Sequence, residues 1–530
     1  MISANGTKEI PRAVTPESVG VDSAEVQAFI DHCMALEKEL HSILVVRHGK
    51  VACEAYRAPY AADTAHMMYS VSKSFTSTAI GFAIAEGVLS LETRFVDVFP
   101  EMRGKKYDPY LEKLNVEDLL TMRSGLTVTP MMDKSKDNWM KTIFSAPWSA
   151  EPGTEFFYTS ENMYLLCCMM HRLTGISVVD YLMPRLFEPL GIEKPFWETD
   201  FHGVEAGGWG MMLTTMDLAK FILLYQQGGK WNGEQILPAG WAETATAFHT
   251  RTDNIEDQLD TDKGYGYCFW RSGGYEKSYR ADGMFSQAAI VFEDLDACVV
   301  ITAGEMNEQG MHDVTWDHFP KAFIDVDETA KTTPLSIPPY ELLPKRPRSA
   351  LERKLIGKKI VFNRSLFLNL IGMPVSVVPL PTTYMGRDKA GNITDVSFEP
   401  DGDVLKMTWN EGGVVSTIHI GMDGAYRVDA LTLAQLPLHM YSVGYWKNEM
   451  ELEIIVRPVE SVAARRLSFR FSDDIVTLKP TALPSTTGMA ENLAKVVKSV
   501  FKSELLAKPL ETILPHAAPL IDMVHIGLIK

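Results

Sequence analysis

The sequence lacks the cysteine spacings that are typical of disulfide-rich or zinc-binding proteins. It contains six cysteines, with no C-x-x-C pair and no histidine at metal-ligand distance: Cys33, Cys53, Cys167, Cys168, Cys268 and Cys298. Neither a disulfide framework nor a structural zinc site is predicted. A reducing cytoplasm fits this pattern best, so we expect a cytoplasmic protein.

Export and membrane signals are also missing. Residues 1–11 contain no apolar h-region of the kind that a secretory signal peptide needs. The longest apolar stretch, residues 366–380, is interrupted by Gly372, Pro374 and Pro379, and it is too short for a transmembrane helix. We predict a loop or a barrel segment there and expect no membrane partner.

Positive charge is scarce. Lysine and arginine number 51 against 68 aspartate and glutamate residues, which gives a net charge of −17. A broad nucleic-acid surface or a surface for anionic membranes is therefore not expected. The motifs H-E-x-x-H, G-x-x-x-x-G-K-[ST] and G-x-G-x-x-G are absent as well, so we predict no metal and no cofactor.

What is present is the composition of a soluble globular protein, with 46% hydrophobic and 22% charged residues. A chain of 530 residues is long enough for several domain-sized units. Five prolines fall between residues 332 and 347 and disfavour both helix and central strand. We therefore predict a first domain over 1–330, a proline-rich linker over 331–348 and a second domain over 349–530.

The first domain mixes helices and strands. A hairpin is predicted over 42–55 with its turn at His48 and Gly49, and a second hairpin over 287–303. A buried helix is predicted from Ser70 to Glu86, and another from Thr214 to Tyr225. This pattern favours an antiparallel sheet flanked by helices.

The second domain is almost purely β. Nine candidate strands, separated by turn signals, lie at 358–363, 393–399, 404–409, 415–420, 426–430, 440–445, 450–456, 466–471 and 475–480. They predict a closed barrel or a sandwich. A helix over 489–506 is predicted to follow them.

Ser70 and Lys73 form an S-x-x-K pair at the start of the first buried helix. Residues three apart share a helix face, so the lysine amine can lie beside the serine hydroxyl. A serine needs a base, and burial lowers the pKa of a lysine until it can act as one. The same spacing recurs at Ser499 and Lys502, where neighbouring lysines indicate a solvated face, so context distinguishes the two pairs.

Four blocks of sequence, 69–91, 116–126, 151–160 and 206–221, resemble the class C β-lactamase-like serine hydrolases. This superfamily includes penicillin-binding carboxypeptidases, D-aminopeptidases, family VIII esterases and nylon-oligomer hydrolases. The resemblance covers residues 15–325 in the family's order. It implies an α+β fold of the β-lactamase/transpeptidase class, joined here to the barrel-like all-β domain.

The resemblance also implies roles for individual residues. Tyr158 corresponds to the tyrosine that exchanges a proton with Ser70 and the leaving group, assisted by Lys73. Ser160 stands where most members have an asparagine that contacts the substrate carbonyl. Apart from the resemblance, Tyr158 reads as a packed aromatic side chain beside two phenylalanines.

The third motif of the family, K-T-G or H-x-G, has no exact counterpart. Residues 279–287 resemble a Y-x-A-x-G-x-x-x-Q variant that contains Gly283, and the strand is expected to supply a backbone N–H to an oxyanion hole with that of Ser70. Lys277 and Arg280 are candidate binders of a substrate carboxylate. A charged residue on an edge strand is more often solvated, so both interpretations stay open.

The function predicted from the sequence is a serine hydrolase that cleaves a small-molecule ester or amide through an acyl-enzyme on Ser70. A D-amino-acid-specific peptidase or amidase and a β-lactamase are the alternatives within the same chemistry. A catalytically silent scaffold of the same fold is the alternative outside it. The sequence is also compatible with a homo-oligomer.

Overall fold

The chain forms two compact units, Met1–Pro338 and Pro339–Lys530. The division lies inside the proline-rich segment 331–348. The predicted apolar segment 366–380 and the predicted helix 489–506 lie outside the residues that the structure describes. This computed structural model describes residues 8–103, 109–126, 139–252, 260, 262–340, 343–362, 393–411, 413–433, 436–462, 464–483 and 524–530.

The first unit contains a six-stranded antiparallel sheet with helices on both faces. Its α-helices are α1 Ser23–Ala35, α2 Ser72–Ala85, α3 Phe95–Val98, α4 Val116–Leu120, α5 Trp139–Phe144, α6 Glu161–Thr174, α7 Val178–Leu182, α8 Glu188–Leu190, α9 Thr215–Gln226, α10 Trp241–Thr246 and α11 Glu308–His318. Its strands are β1 Leu40–Arg47, β2 Lys50–Tyr56, β3 His66–Met67, β4 Met212–Leu213, β5 Lys230–Trp231, β6 Glu234–Gln235, β7 Trp270–Arg271, β8 Ser278–Gly283, β9 Gln287–Phe292 and β10 Ala297–Ala303.

The strand order of this sheet is β2-β1-β10-β9-β8-β7. Strand β1 is buried on both faces, which explains its continuous apolar run. Ile43 and Val45 join a core with Phe29 of α1, and α1 packs against α11. On the other face, Ser42 hydrogen-bonds Thr215 of α9 at 2.7 Å between the hydroxyl oxygens. The sheet therefore separates a layer containing α1 and α11 from one containing α9.

Several local predictions for this unit are confirmed. His48 and Gly49 have φ angles of 51° and 67°, as a tight two-residue hairpin turn requires. Helix α9 begins after Thr214, whose hydroxyl accepts a hydrogen bond from the Asp217 N–H at 3.1 Å. Helix α2 ends just before Gly87, which has a φ of 71° that favours glycine.

The second unit contains one short helix, α12 Leu351–Leu355, among its described residues, and a large sheet. The strands are β11 Ile360–Phe362, β12 Ile393–Asp401, β13 Val404–Glu411, β14 Val414–Gly421, β15 Arg427–Leu433, β16 Leu436–Asn448, β17 Glu451–Pro458, β18 Ala464–Ser472, β19 Ile475–Leu483 and β20 His525–Ile529.

These strands form a barrel, which decides between the two predicted architectures. Nine of them pair in the order β14-β13-β12-β11-β20-β19-β18-β17-β16, and a parallel bridge between Gly421 and Val443 joins β14 to β16 and closes the ring. Strand β15 pairs with β16. Side chains such as Leu467 and Phe469 fill the interior, because alternate residues of a strand point to the same face.

The predicted fold class is thus confirmed: an antiparallel sheet flanked by helices, followed by an all-β barrel. No single helix in the described ranges is long and apolar enough to cross a membrane. By length and composition only, the bent pair Glu161–Thr174 and Val178–Leu190 passes that test together.

Candidate active site

Ser70 lies in a tight turn, not in the first turn of an α-helix as the sequence suggested. A 3-10 turn spans Tyr69–Val71, and helix α2 begins at Ser72. Tyr69 has a φ of 45°, a left-handed conformation that costs a non-glycine residue free energy and is common at functional sites. The Met68 N–H donates to the Met211 carbonyl at 2.8 Å, so the short β3–β4 ladder anchors this turn.

Lys73 lies one turn further along α2 and reaches back to Ser70. Its Nζ donates to Ser70 Oγ at 2.8 Å, to Ser160 Oγ at 2.9 Å and to the Gly208 carbonyl at 2.8 Å. The residue is only 1% exposed. Burial lowers its pKa from 10.5 to about 7, with smaller opposing effects from Cys268 and Glu161. A lysine with this pKa is half neutral near pH 7 and can accept a proton there.

Ser160 is close enough to share the Lys73 amine because glycine stands opposite it. A Cβ atom on Gly208 would lie 2.6 Å from Ser160 Cβ, so a larger residue would push the two segments apart. Gly207 is equally constrained, since its Cβ would meet Cys167 Sγ at 2.6 Å. The 206–221 block therefore packs directly on the start of α6 and supplies a carbonyl to the site.

Tyr158 completes the cluster that the sequence predicted. Lys73 Nζ lies 4.7 Å from its ring centroid, and the Ser70 hydroxyl is near enough to act on the pKa of its phenol. The ring packs on Trp270 at 5.2 Å and edge-on against Tyr265 at 6.0 Å between centroids. Burial raises the pKa of the phenol, so Tyr158 is protonated at neutral pH.

Gly283 ends strand β8 directly beside the Ser70 turn. A Cβ atom there would lie 2.4 Å from the Met68 carbonyl oxygen and 3.3 Å from the Ser70 nitrogen. Only glycine allows the strand to approach the backbone of Ser70 this closely. The end of β8 and the Ser70 N–H thus border the same space.

Lys277 and Arg280 are not brought to this cluster. Arg280 is completely buried, and its guanidinium donates to Asp282 at 2.6 Å and lies 3.8 Å from Asp260. Lys277 is at the opposite end of β8 from Gly283 and pairs with Asp294 at 3.3 Å. Both cations are therefore engaged by carboxylates of the chain.

Other functional types of residue fall outside the cluster. Cys167 and Cys168 are buried in α6, and burial raises the pKa of both thiols, which favours the unreactive protonated form. In the described part of the chain, no group of three or more histidine, cysteine, aspartate or glutamate side chains is arranged to hold a metal ion.

Sequence reasoning missed Trp270, Tyr265 and Gly208. The two aromatic residues lie more than a hundred positions after Tyr158, in segments with no motif of their own. For Gly208, the Gly-Gly pair inside the 206–221 block was an available signal, because consecutive glycines often mark a close backbone approach.

Comparison with known proteins assigns the chain to a family. A family model described as Beta-lactamase matches residues 26–318, more than half of the 530 residues. The 6-aminohexanoate-dimer hydrolase of Paenarthrobacter ureafaciens is 27% identical over 258 residues, which are 46% of this chain and 64% of that protein. The D-aminopeptidase of Brucella anthropi is 25% identical over 203 residues, which are 33% of this chain and 36% of that protein.

The match therefore spans less than two thirds of the length of each of these relatives. Among solved structures, an octameric penicillin-binding protein homologue from Pyrococcus abyssi aligns with a TM-score of 0.45 and 17% sequence identity. That alignment covers 86% of this chain and 98% of the other. On the match of the family model, the chain belongs to the Beta-lactamase family.

Proposed function

We propose that the chain is a serine hydrolase that cleaves an ester or amide bond through an acyl-enzyme on Ser70. The observation that carries this proposal is the 2.8 Å contact between Lys73 Nζ and Ser70 Oγ. A buried lysine with a pKa of about 7 is a base at neutral pH, and a base at hydrogen-bond distance is what a serine needs to become a nucleophile.

In the first half of the reaction, Ser70 Oγ attacks the carbonyl carbon of the substrate. The hydroxyl proton passes to neutral Lys73, either directly or through the phenol of Tyr158. The carbonyl electrons move onto oxygen, where backbone N–H groups of Ser70 and of the end of β8 stabilise the negative charge. When the bond to the leaving group breaks, that group takes its electron pair and a proton from Tyr158 or Lys73.

In the second half, water replaces the leaving group. Neutral Lys73 takes a proton from the water, either directly or through the phenol of Tyr158, while the water oxygen attacks the acyl carbon. The bond to Ser70 Oγ then breaks and the proton returns to the serine. The carboxylic acid leaves, and the site is restored without any change of oxidation state.

The finer proposal concerns the substrate, for which we favour a short-chain ester without a carboxylate that must be bound. Arg280 in strand β8 and Lys277 just before this strand both pair with carboxylates of the chain. A β-lactamase needs a cation to bind the carboxylate of the antibiotic, so the pairing of these two cations within the chain argues against this substrate. Two relatives, a 6-aminohexanoate-dimer hydrolase and a D-aminopeptidase, support an amide substrate as the second candidate.

Two measurements test this proposal. A fluorophosphonate probe should label Ser70, located by mass spectrometry of the labelled peptide, and not Ser499. In a panel of a chromogenic short-chain ester, a D-aminoacyl amide and a cephalosporin, the ester should give the highest kcat/KM. An unlabelled Ser70 in folded protein would support the silent scaffold instead, and a faster cephalosporin would reverse the ranking of substrates.

A cytoplasmic location and self-association are further proposals. The first is supported by the cysteine pattern of the sequence alone. Light scattering coupled to size-exclusion chromatography would determine the oligomeric state, with a single mass near 59.2 kDa excluding self-association at the concentration used.

A further inference from the structure

The hairpin turn between β8 and β9, residues 284–286, has an unusual backbone. Phe285 and Ser286 both have a φ of 64°, in the left-handed region that residues with side chains avoid. Each such residue costs on the order of 1–3 kcal/mol unless its surroundings hold it. Two in succession, one of them a phenylalanine, indicate that this turn is held by contacts from outside it.

The first of these contacts comes from Gln287, which is 0% exposed. Its amide Nε2 donates to the Phe285 carbonyl at 3.0 Å and to the Ala303 carbonyl at 2.7 Å. Its Oε1 accepts from the Ala303 N–H at 3.2 Å. One buried amide thus connects the turn to the end of β10.

The second contact comes from Glu308, the first residue of α11. Its Oε1 accepts a hydrogen bond from the Phe285 N–H at 2.8 Å. The position of Glu308 is itself fixed, because Asn307 caps the helix by accepting from the Gly310 N–H at 3.0 Å. Burial and the nearby Asp282 raise the pKa of Glu308 to about 7.

The turn lies beside the nucleophile. It follows Gly283, whose Cβ position is 3.3 Å from the Ser70 nitrogen. The Phe285 ring also packs edge-on against Tyr69, with 5.0 Å between the ring centroids. A small rotation of the turn would therefore change the direction of the N–H groups that border Ser70.

We propose that Glu308 and Gln287 are positioning residues, which hold the 284–286 turn so that a backbone N–H of the strand end and that of Ser70 point at one oxyanion. This inference rests on the proposed acyl transfer and adds the residues that align its oxyanion hole. Neither side chain contacts the substrate in this role. What matters in Glu308 is the place of its acceptor oxygen, not its charge.

A matched pair of variants separates acceptor from charge. Glu308→Gln keeps a carbonyl oxygen at the same reach and removes the charge. Glu308→Asp keeps the charge and withdraws the oxygen by one methylene group. Asp317→Ala is the control, since Asp317 is an exposed carboxylate on the same helix.

The readout is the ratio of kcat/KM for 4-nitrophenyl acetate to that for the corresponding thionoester. Sulfur is a weak hydrogen-bond acceptor, so this ratio reports how well the N–H groups bind the developing oxyanion. Loss of one oxyanion donor costs about 10²–10³-fold in rate, and for a misdirected donor we expect roughly 10-fold or more. This loss should affect the oxygen ester and lower the ratio, while the thionoester rate changes little.

We expect the lowered ratio in Glu308→Asp, and a ratio like the unmodified enzyme in Glu308→Gln and Asp317→Ala. Gln287→Met, which fills the same space without hydrogen bonds, should lower the ratio as well. If a thermal melt shows that Glu308→Asp does not fold, the ratio in Gln287→Met tests the inference in its place.

An unchanged ratio in folded Glu308→Asp or in folded Gln287→Met would overturn the inference. The inference would also be overturned if the ratio fell in Glu308→Gln and stayed unchanged in Glu308→Asp, because the charge of Glu308, and not the place of its oxygen, would then control the oxyanion hole. Failure of the unmodified enzyme to hydrolyse the ester, or to be labelled at Ser70, would instead refute the proposed function.

Discussion

Lowering the pH should stop acylation by protonating Lys73. The amine is buried among Ser70, Ser160 and the Gly208 carbonyl, and burial lowers its pKa from 10.5 to about 7. The ammonium form has no lone pair to accept the Ser70 proton. In the proposed mechanism, the active fraction of the protein is therefore the neutral fraction of this one side chain.

The size of the effect follows from the pKa. With a pKa of about 7, neutral Lys73 falls from nearly all molecules at pH 9 to about 1% at pH 5, so kcat/KM should fall by about 100-fold. For a lysine at its ordinary pKa of 10.5, only about 0.03% is neutral at pH 7. Burial thus increases the amount of available base at pH 7 by roughly 10³-fold.

The assay is kcat/KM for an uncharged ester from pH 5 to pH 9, because this parameter reports ionisation of the free enzyme. Glu308 needs a control, since its pKa is also raised to about 7. Glu308→Gln should keep the inflection near pH 7. Lys73→Arg should lose both the inflection and most of the rate, because a guanidinium does not deprotonate in proteins.

A profile that is flat between pH 5 and pH 9, or that still rises steeply above pH 9, would refute the role of Lys73 as the base. An inflection that disappears in Glu308→Gln would transfer the ionisation to that carboxyl group.

Three further predictions follow from the same geometry. Lys73→Arg and Tyr158→Phe should each lower kcat by about 10²–10⁴-fold. The double variant should be little worse than either single variant, since the two groups act as a unit. Turnover near that of the unmodified protein in folded single variants would contradict the mechanism. Gly283→Ala should abolish fluorophosphonate labelling, because the new methyl group would lie 2.4 Å from the Met68 carbonyl oxygen, and unchanged labelling would show that the strand end can move away. Asp282→Asn should lower the free energy of unfolding at pH 7 by about 3–5 kcal/mol, because the carboxylate lies between buried basic groups that hold its pKa below 3.8. The stabilisation by the Asp282 carboxylate is complete above the unfolded-state pKa and is lost as the pH falls through the folded-state pKa. In urea melts, the free energies of unfolding of Asp282→Asn and of the unmodified protein should therefore differ less at pH 3.5 than at pH 7. An equal difference at both pH values would exclude the ionic explanation.

Much of the fold could be predicted from local patterns. The hairpin at His48 and Gly49 and the capped helix after Thr214 depend on residues a few positions apart, and the structure has both. Most of the barrel strands were likewise visible as alternating runs between turn signals. Strand β20, His525–Ile529, was not predicted, because five residues after a long interval give little periodicity.

The choice between barrel and sandwich needed tertiary structure. Strand β20, the last strand in the sequence, pairs with both β11 and β19 and so connects the first strand of the unit to β19. The bridge from Gly421 to Val443 closes the ring on the other side. Contacts between residues so far apart in sequence leave no mark on the pattern of any single strand.

At the site, the sequence by itself determined the pairing of the serine nucleophile with its candidate base. Ser70 and Lys73 are three residues apart, so one turn of backbone places the amine near the hydroxyl, and the structure has them 2.8 Å apart. The resemblance of four sequence blocks added Tyr158, which the fold brings to the same hydroxyl.

Only the tertiary structure decided which charged and polar groups reach that pair. Arg280 and Gly283 lie on one strand, yet Arg280 faces carboxylates in the interior while Gly283 faces Ser70. Successive positions of a strand point to opposite faces, and these two are an odd number of positions, three, apart. Glu308 meets Phe285 only because α11 packs across the end of the β8–β9 hairpin. The pKa of Lys73 was likewise decided by the tertiary structure, since segments distant in sequence bury the amine and this burial lowers its pKa.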